Sequence, residues 1–269
     1  MKITTVNVNG VRAAYRRGME QWLAASAPDV LLLQEVRAPQ GTAAQHLGEG
    51  WHVAESVCQI KGRAGVAVAS RVVPLAVRDG AYPDELPVDT GRWLEVDLPL
   101  PGRDVPLTVV SAYLHSGEAG TEKMDAKYHH LDRVTERLAQ LVTDVEAGRR
   151  ELLVAGDFNV AMTPLDIKNW KPNHNKTAGV LDQEIAYLER WLSTGLVDAV
   201  RQLHGPEQGP YTWWSWRGRA FDNNAGWRID YHFVSPGLAQ AATDYAVERA
   251  QTNAERFSDH APMSVTYAL

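Results

Sequence analysis

Short apolar runs alternate with amphipathic stretches along this chain. Ile3 to Val8 reads Ile-Thr-Thr-Val-Asn-Val, the period of two that sends successive side chains to opposite faces of a strand. Asp29 to Gln34, Gly65 to Ser70, Arg92 to Leu98, Leu107 to Leu114 and Glu151 to Ala155 are strand-like runs bounded by Gly, Pro or Asp, as are Tyr211 to Trp216, Ile229 to Val234 and Pro262 to Tyr267. Between them lie helical periods. In Lys127 to Glu146 the apolar set Tyr128, Leu131, Val134, Leu138, Leu141, Val142 and Val145 recurs every three or four positions, and Gly148 follows as a stop. Gln183 to Ser193 predicts a second helix, and Tyr15 to Ala27, closed by Pro28, a third. No Ser- or Gly-rich linker and no short repeat interrupts the pattern. The expectation is one α/β domain over residues 1–269, with two packed sheets and helices outside.

Composition narrows the class without naming a partner. The 269 residues are 45% apolar and 22% charged, with 33 acidic against 27 basic side chains and a net charge of −6. That excludes a disordered chain, a collagen and a coiled coil. The longest apolar run, Asp29 to Leu33, is strand-sized, well short of the ~20 residues that span a bilayer. Met1-Lys2-Ile3 enters a strand with no signal-peptide pattern, and the single Cys58 cannot form an internal disulfide. A cytoplasmic protein with no membrane partner is expected. The acidic balance argues mildly against nucleic acid. Yet Lys168 to Lys176 carries three lysines and no acid, and Arg201 to Arg228 holds four arginines against Glu207 and Asp222. Local charge leaves the partner open.

Candidate chemistry sits where the apolar runs stop. Asn7 lies between Val6 and Val8; Leu33 runs into Gln34-Glu35; Ala155 runs into Gly156-Asp157-Phe158-Asn159. Asp230 opens one late run, and Ser258-Asp259-His260 precedes the last. A single polar strand end is ordinarily a cap or a turn residue. Five in one chain are harder to dismiss, because a carboxylate at a buried strand edge costs desolvation unless something pairs with it. Together they offer hard oxygen donors and one imidazole, the inventory for Mg²⁺-assisted attack of water on a phosphate ester. One cysteine excludes a thiolate zinc site, and there is no His-Glu-x-x-His, P-loop, dinucleotide fingerprint or Gly-x-Ser-x-Gly elbow.

Val6-Asn7-Val8-Asn9-Gly10, Leu33-Gln34-Glu35, Gly156-Asp157-Phe158-Asn159-Val160, Gly226-Trp227-Arg228-Ile229-Asp230-Tyr231 and Ser258-Asp259-His260-Ala261-Pro262, in this order, resemble the exonuclease III family of abasic-site (AP) endonucleases, within the wider endonuclease, exonuclease and phosphatase superfamily. The blocks run the length of the chain. Leu165 to Lys171 and Tyr211 to Trp216 narrow the likeness to DNA repair. The resemblance implies a four-layer α/β sandwich of two packed mixed β-sheets flanked by helices (DNase I-like). It implies Mg²⁺, for which Mn²⁺ can substitute, held by Glu35 with Asn7 and Asp259. It implies that Asp157 orients or deprotonates the attacking water, that Asn159 and Tyr113 contact the phosphate, and that Asp230 orients a protonated His260. Trp213, Trp227 and Ile229 would wall a pocket for a flipped-out abasic sugar. Lys168, Asn169, Lys171 and Asn173 would contact the DNA backbone, and Arg228 a phosphate. The implied partner is double-stranded DNA with abasic sites or 3′ ends, bound by a monomer. Two places depart from the family pattern: His115-Ser116 stands where relatives commonly read Pro-Asn/Gln, and Asn9 where some place a carboxylate. The runner-up readings are a lipid or inositol phosphatase of the same superfamily and a non-catalytic DNA-binding member.

Overall fold

A computed structural model describes residues 1–269. In chain order its strands are β1 (Lys2–Asn7), β2 (Val30–Gln34), β3 (His52–Ser56), β4 (Val66–Ser70), β5 (Ala76–Asp79), β6 (Trp93–Leu98), β7 (Leu107–Tyr113), β8 (Glu151–Asp157), β9 (Val197–Asp198), β10 (Asp230–Val234), β11 (Ala242–Val247) and β12 (Met263–Tyr267). The helices are α1 (Val11–Arg16), α2 (Met19–Ser26), α3 (Thr42–Leu47), α4 (Glu122–Glu146), α5 (Trp170–Asn173), α6 (Asp182–Ser193), α7 (Ala199–His204) and α8 (Pro236–Ala241). One sheet has the order β11-β12-β1-β2-β4-β3, the other β5-β6-β7-β8-β10-β9. Each has one parallel pair at its centre, β1 with β2 and β7 with β8, and antiparallel neighbours elsewhere. A parallel pair needs a crossover. In the first sheet α1 and α2 supply it, in the second α4.

The apolar runs are continuous because both faces of the central strands are covered. Val30 and Leu32 pack between the sheets with Val109, Leu153 and Ala155. Their neighbours Leu31 and Leu33 face Val11, Met19, Leu23 and Ala43 of the helices α1 to α3. Leu152 and Val154 likewise turn to Leu131, Val134 and Leu138 of α4 and Leu188 of α6. The result is the expected four layers: helices, sheet, sheet, helices.

Several boundaries differ from the pattern. The stretch Tyr15 to Ala27 is two helices, broken where Gly18 takes a left-handed φ of 102°. The helix expected from Lys127 starts at Glu122, capped by the Thr121 hydroxyl, which accepts from the Lys123 amide. Tyr211 to Trp216 is not a strand. It makes only isolated bridges, Trp213 to Trp227 and Trp213 to His260. The edge strands β3, β5 and β11 carry half-exposed or exposed side chains and so lack the apolar signature that marked the others, while β9 is two residues long. No helix is long and apolar enough to cross a membrane.

A buried histidine of the core sets an acid limit. His232 on β10 is fully buried, its Nδ1 3.2 Å from the Tyr267 hydroxyl, and burial pushes its pKa down to about 3. Folded His232 stays neutral while the unfolded chain protonates near 6.5. Stability therefore falls as pH drops from about 6.5 towards 3, by up to about 1.4 kcal/mol per pH unit from this group. Urea unfolding measured from pH 7 to pH 5 is expected to show a smaller pH slope in His232→Leu than in the parent; equal slopes would refute the assignment.

Candidate active site

The sheet registers assemble the strand-end residues. β1 ends at Asn7, paired with Gln34 at the end of β2, and Glu35 follows. β7 ends at Tyr113, in register with Asp157 at the end of β8, and Asp157 faces Asp230 at the start of β10. All four central parallel strands thus deliver a polar residue at their carboxyl ends, where open α/β sheets place their sites. Gly156 is required beside Asp157: at φ 145° a Cβ there would land on the carbonyl oxygen of Ala112 on β7. Glu35 (φ 50°) and Asn159 (φ 51°) are held in the left-handed region, a conformation that costs energy and that clusters at functional sites.

Hydrogen bonds join the two sheets at this edge. Asn7 Nδ2 donates to Glu35 Oε1 and to Asp157 Oδ2, both at 2.9 Å. The Asn159 amide donates to Asp157 Oδ1 at 2.9 Å, and its side-chain nitrogen to the Leu114 carbonyl. His260 Nδ1 lies 2.9 Å from Asp230 Oδ2, while its Nε2 points at Asp157 Oδ2 from 3.6 Å. Asn9 Nδ2 donates to Asp259 Oδ1, and the Trp213 indole to Asp259 Oδ2. The expected catalytic and metal residues therefore converge.

Their charges are interdependent. Burial raises the Asp157 carboxyl, the positive His260 opposes it, Asp230 and Glu35 raise it further, and the net is a pKa of about 7. Burial would depress His260, but Asp230 and Asp157 outweigh it and lift the ring to about 10. His260 is thus an imidazolium held by Asp230. Burial, followed by the Glu35 and Asp157 carboxylates, drives the Tyr113 phenol well above 10, so it acts as a neutral O–H donor. Asp157, Asp230 and His260 lie within 4.8 Å of one another, but an imidazolium cannot ligate a metal. The Glu35 side fits a hard cation better: Glu35 and Asp259 are carboxylates, Glu35 Oε2 is buried, against the Arg37 guanidinium, without a hydrogen-bond partner, and Asn7 holds Glu35 in place through Nδ2 while its Oδ1 accepts from the Asn9 amide.

A cleft of about 640 Å³ opens over this edge, floored by Asp157, Asn159 and His260 and walled by Trp213, Trp227 and Ile229. The Trp213 and Trp227 rings meet edge to face at 5.8 Å, while Trp214, one residue on from Trp213, is 2% exposed in the core. Arg228 corrects an expectation. Trp227 and Ile229 face the cleft, so the residue between them turns away from it. Arg228 is 2% exposed, its guanidinium bonded to Asp166 Oδ1 and Asp198 Oδ2 at 2.6 Å each, and so cannot meet a phosphate. Lys168, Asn169 and Lys171 are exposed and Asn173 half-buried, outside the cleft on or beside α5. The basic side chains in the cleft are instead Lys176 and Arg37. Lys176 closes the lysine-bearing stretch that the sequence had marked.

The fold and this site define a class. The chain belongs to the endonuclease/exonuclease/phosphatase family, whose model matches residues 4–260. It is 31% identical to the exodeoxyribonuclease of Bacillus subtilis, over 98% of both chains. It is 30% identical to the DNA repair nuclease APEX1 of Danio rerio, over all of this chain and 83% of that one. Among solved structures it superposes on NExo, a 3′ phosphatase from Neisseria bound to a product DNA hairpin, with a TM-score of 0.85 and 32% identity over both whole chains. An AP endonuclease from Archaeoglobus fulgidus gives a TM-score of 0.84 at 29% identity, again over both whole chains.

One part of the site left no sequence signal beyond helical periodicity. Lys127 of α4 and Glu184 of α6 are fully buried and paired at 2.5 Å. Lys127 Nζ also donates to the carbonyls of Asn159 (3.1 Å) and Ser116 (3.4 Å), and Glu184 accepts from the Gly179 and Leu181 amides. The pair clamps three segments around the cleft. Removing one partner strands a buried charge, which costs about 3–5 kcal/mol. Lys127→Met is expected to lose that much in urea unfolding, and adding Glu184→Gln to recover most of it; a Lys127→Met protein as stable as the parent would refute the clamp.

Proposed function

We propose that this protein is a Mg²⁺-dependent DNA-repair phosphodiesterase, with Mn²⁺ able to substitute. It cleaves duplex DNA 5′ to abasic sites and removes nucleotides or blocking groups from 3′ ends. The observation that carries the reading is the juxtaposition of a hydrolytic group, Asp157 with Asn159 and His260, and an apolar wall of Trp213, Trp227 and Ile229 in one cleft. A sugar without a base fits against such a wall, and its extrusion breaks no base pair. A lipid or inositol phosphatase has no need of the tryptophans.

The chemistry follows from the charges. Glu35, Asn7 and Asp259 would hold the ion, whose charge lowers the cost of negative charge on the phosphate. Asp157, with a pKa near 7, takes the proton of the attacking water. Asn159 and the Tyr113 hydroxyl orient the phosphate oxygens, and the His260 imidazolium balances the charge that grows in the transition state. Asp230 is a positioning residue, fixing the His260 ring through Nδ1. Lys168, Asn169, Lys171 and Asn173 are left to backbone contacts on the rim. We further propose a single domain over residues 1–269, working as a monomer in the cytoplasm; pairing of β1 with β12 joins the two ends of the chain in one sheet.

The test is cleavage of an end-labelled duplex carrying one tetrahydrofuran abasic analogue, beside an intact duplex with a recessed 3′ end, each with Mg²⁺ and with EDTA. A single Mg²⁺-dependent cut 5′ to the analogue supports the reading, and the ladder on the intact duplex ranks the two activities. Phosphate released from an inositol phosphate, with neither duplex cut, would overturn it. Asp157→Asn is expected to lower turnover by about 10²–10⁴-fold without a matching loss of DNA affinity; equal losses would remove Asp157 from the transition state.

A further inference from the structure

Behind the cleft wall, three side chains from separate segments meet in the interior. Asp89 comes from the loop between β5 and β6, His115 from the stretch leaving β7, and His130 from α4; their exposures are 1%, 7% and 0%. Asp89 Oδ1 lies 2.7 Å from His115 Nε2 and 3.8 Å from His130 Nδ1, and one donor atom from each residue falls within 4.8 Å of the others. The Tyr82 hydroxyl donates to the second Asp89 oxygen at 2.9 Å and so turns Oδ1 towards the two rings. Neither nitrogen of His130 has a hydrogen-bond partner in the protein. A fully buried imidazole with no partner costs stability, and nothing in the proposed hydrolysis uses it.

We propose that Asp89, His115 and His130 form a second metal site, one that takes a borderline divalent transition ion of the zinc class and not Mg²⁺. Two nitrogens and one carboxylate suit zinc, whereas magnesium prefers oxygens alone. Donors about 2.0–2.1 Å from a tetrahedral ion stand roughly 3.3–3.4 Å apart. That lies between the two Asp89 distances here, so small side-chain rotations complete the site. Both rings are in the ligating form, because burial pulls His130 down to about 3 and also lowers His115. In the metal-free protein His115 Nε2 holds a proton shared with Asp89. The ion takes that proton's place on Nε2, and the proton moves to Nδ1 of the same neutral ring, so binding releases no net proton from His115. Arg92 and Lys127 add positive charge nearby, which makes the site weaker than one built from several anions. An ion here would tie the Tyr82 to Gly91 loop and α4 to the segment whose next residues, Ser116 and Gly117, line the cleft. His115 is also one of the positions at which the chain departs from the family pattern. The inference does not depend on the substrate proposed above.

The experiment titrates cobalt(II), a spectroscopic substitute for zinc, into chelator-treated, desalted protein, and follows visible absorption and the thermal midpoint. The expected result is one equivalent of an intense band of a four- or five-coordinate, nitrogen-containing site, displaced by zinc but not by magnesium. The band should persist in Glu35→Gln, which damages only the oxygen-rich cleft, and vanish in His130→Leu. That variant is expected to fold, since His130 makes no hydrogen bond and leucine fits an apolar helix face. Zinc should raise the midpoint of the parent and not of His130→Leu. No intense band in the parent, or one that survives His130→Leu or a second variant, His115→Gln, would overturn the site.

Discussion

Asp157 is a carboxylate with 1% of its surface exposed, held where the carboxyl edges of two sheets meet, and the rest of the site answers the cost of keeping it there. An isolated buried anion would simply take up a proton. Here Asn7 comes across from the other sheet, the Asn159 amide folds back from the following turn, and the His260 imidazolium approaches from the turn before β12. These contacts bring the carboxyl near pH 7, against burial and two neighbouring carboxylates. Because the partners come from both sheets, the intersheet packing that orders the core also sets the charge of this carboxyl.

That dependence explains the seam beneath the site. Gln34 donates to the Ser111 hydroxyl, which in turn donates to the Leu33 carbonyl, and Thr5 donates to Gln34. The seam bonds β2 of one sheet to β7 of the other, next to the residues that reach the cleft. Apolar packing alone tolerates sliding, whereas buried hydrogen bonds with fixed partners do not. The Lys127–Glu184 clamp does the same for the outer layers by fixing the backbone of Asn159 and Ser116.

The cleft combines two environments that would conflict if mixed. Hard oxygens and an imidazolium occupy its floor, and two indoles with Ile229 occupy its wall. Trp213 links them, its ring in the wall and its N–H on Asp259. The shape of the wall and the orientation of the Asp259 carboxylate are therefore coupled.

Much of this was legible in the residues. Continuous apolar runs marked strands covered on both faces, and their polar ends held nearly every group that lines the cleft floor. Strand alternation separated Trp213 from Trp214, but Arg228 was read from its neighbours' company and not from its own face, which turns inward to Asp166 and Asp198. The edge strands β3, β5 and β11 escaped notice because their side chains face solvent on at least one side and carry no strong pattern. Local order was written in the sequence because hydrophobic period and turn chemistry act over a few residues. Only the tertiary structure could decide which distant side chains meet, as His115 with Asp89 and His130, or Lys127 with Glu184, because such pairs are chosen by how layers stack and by which buried charges find a partner.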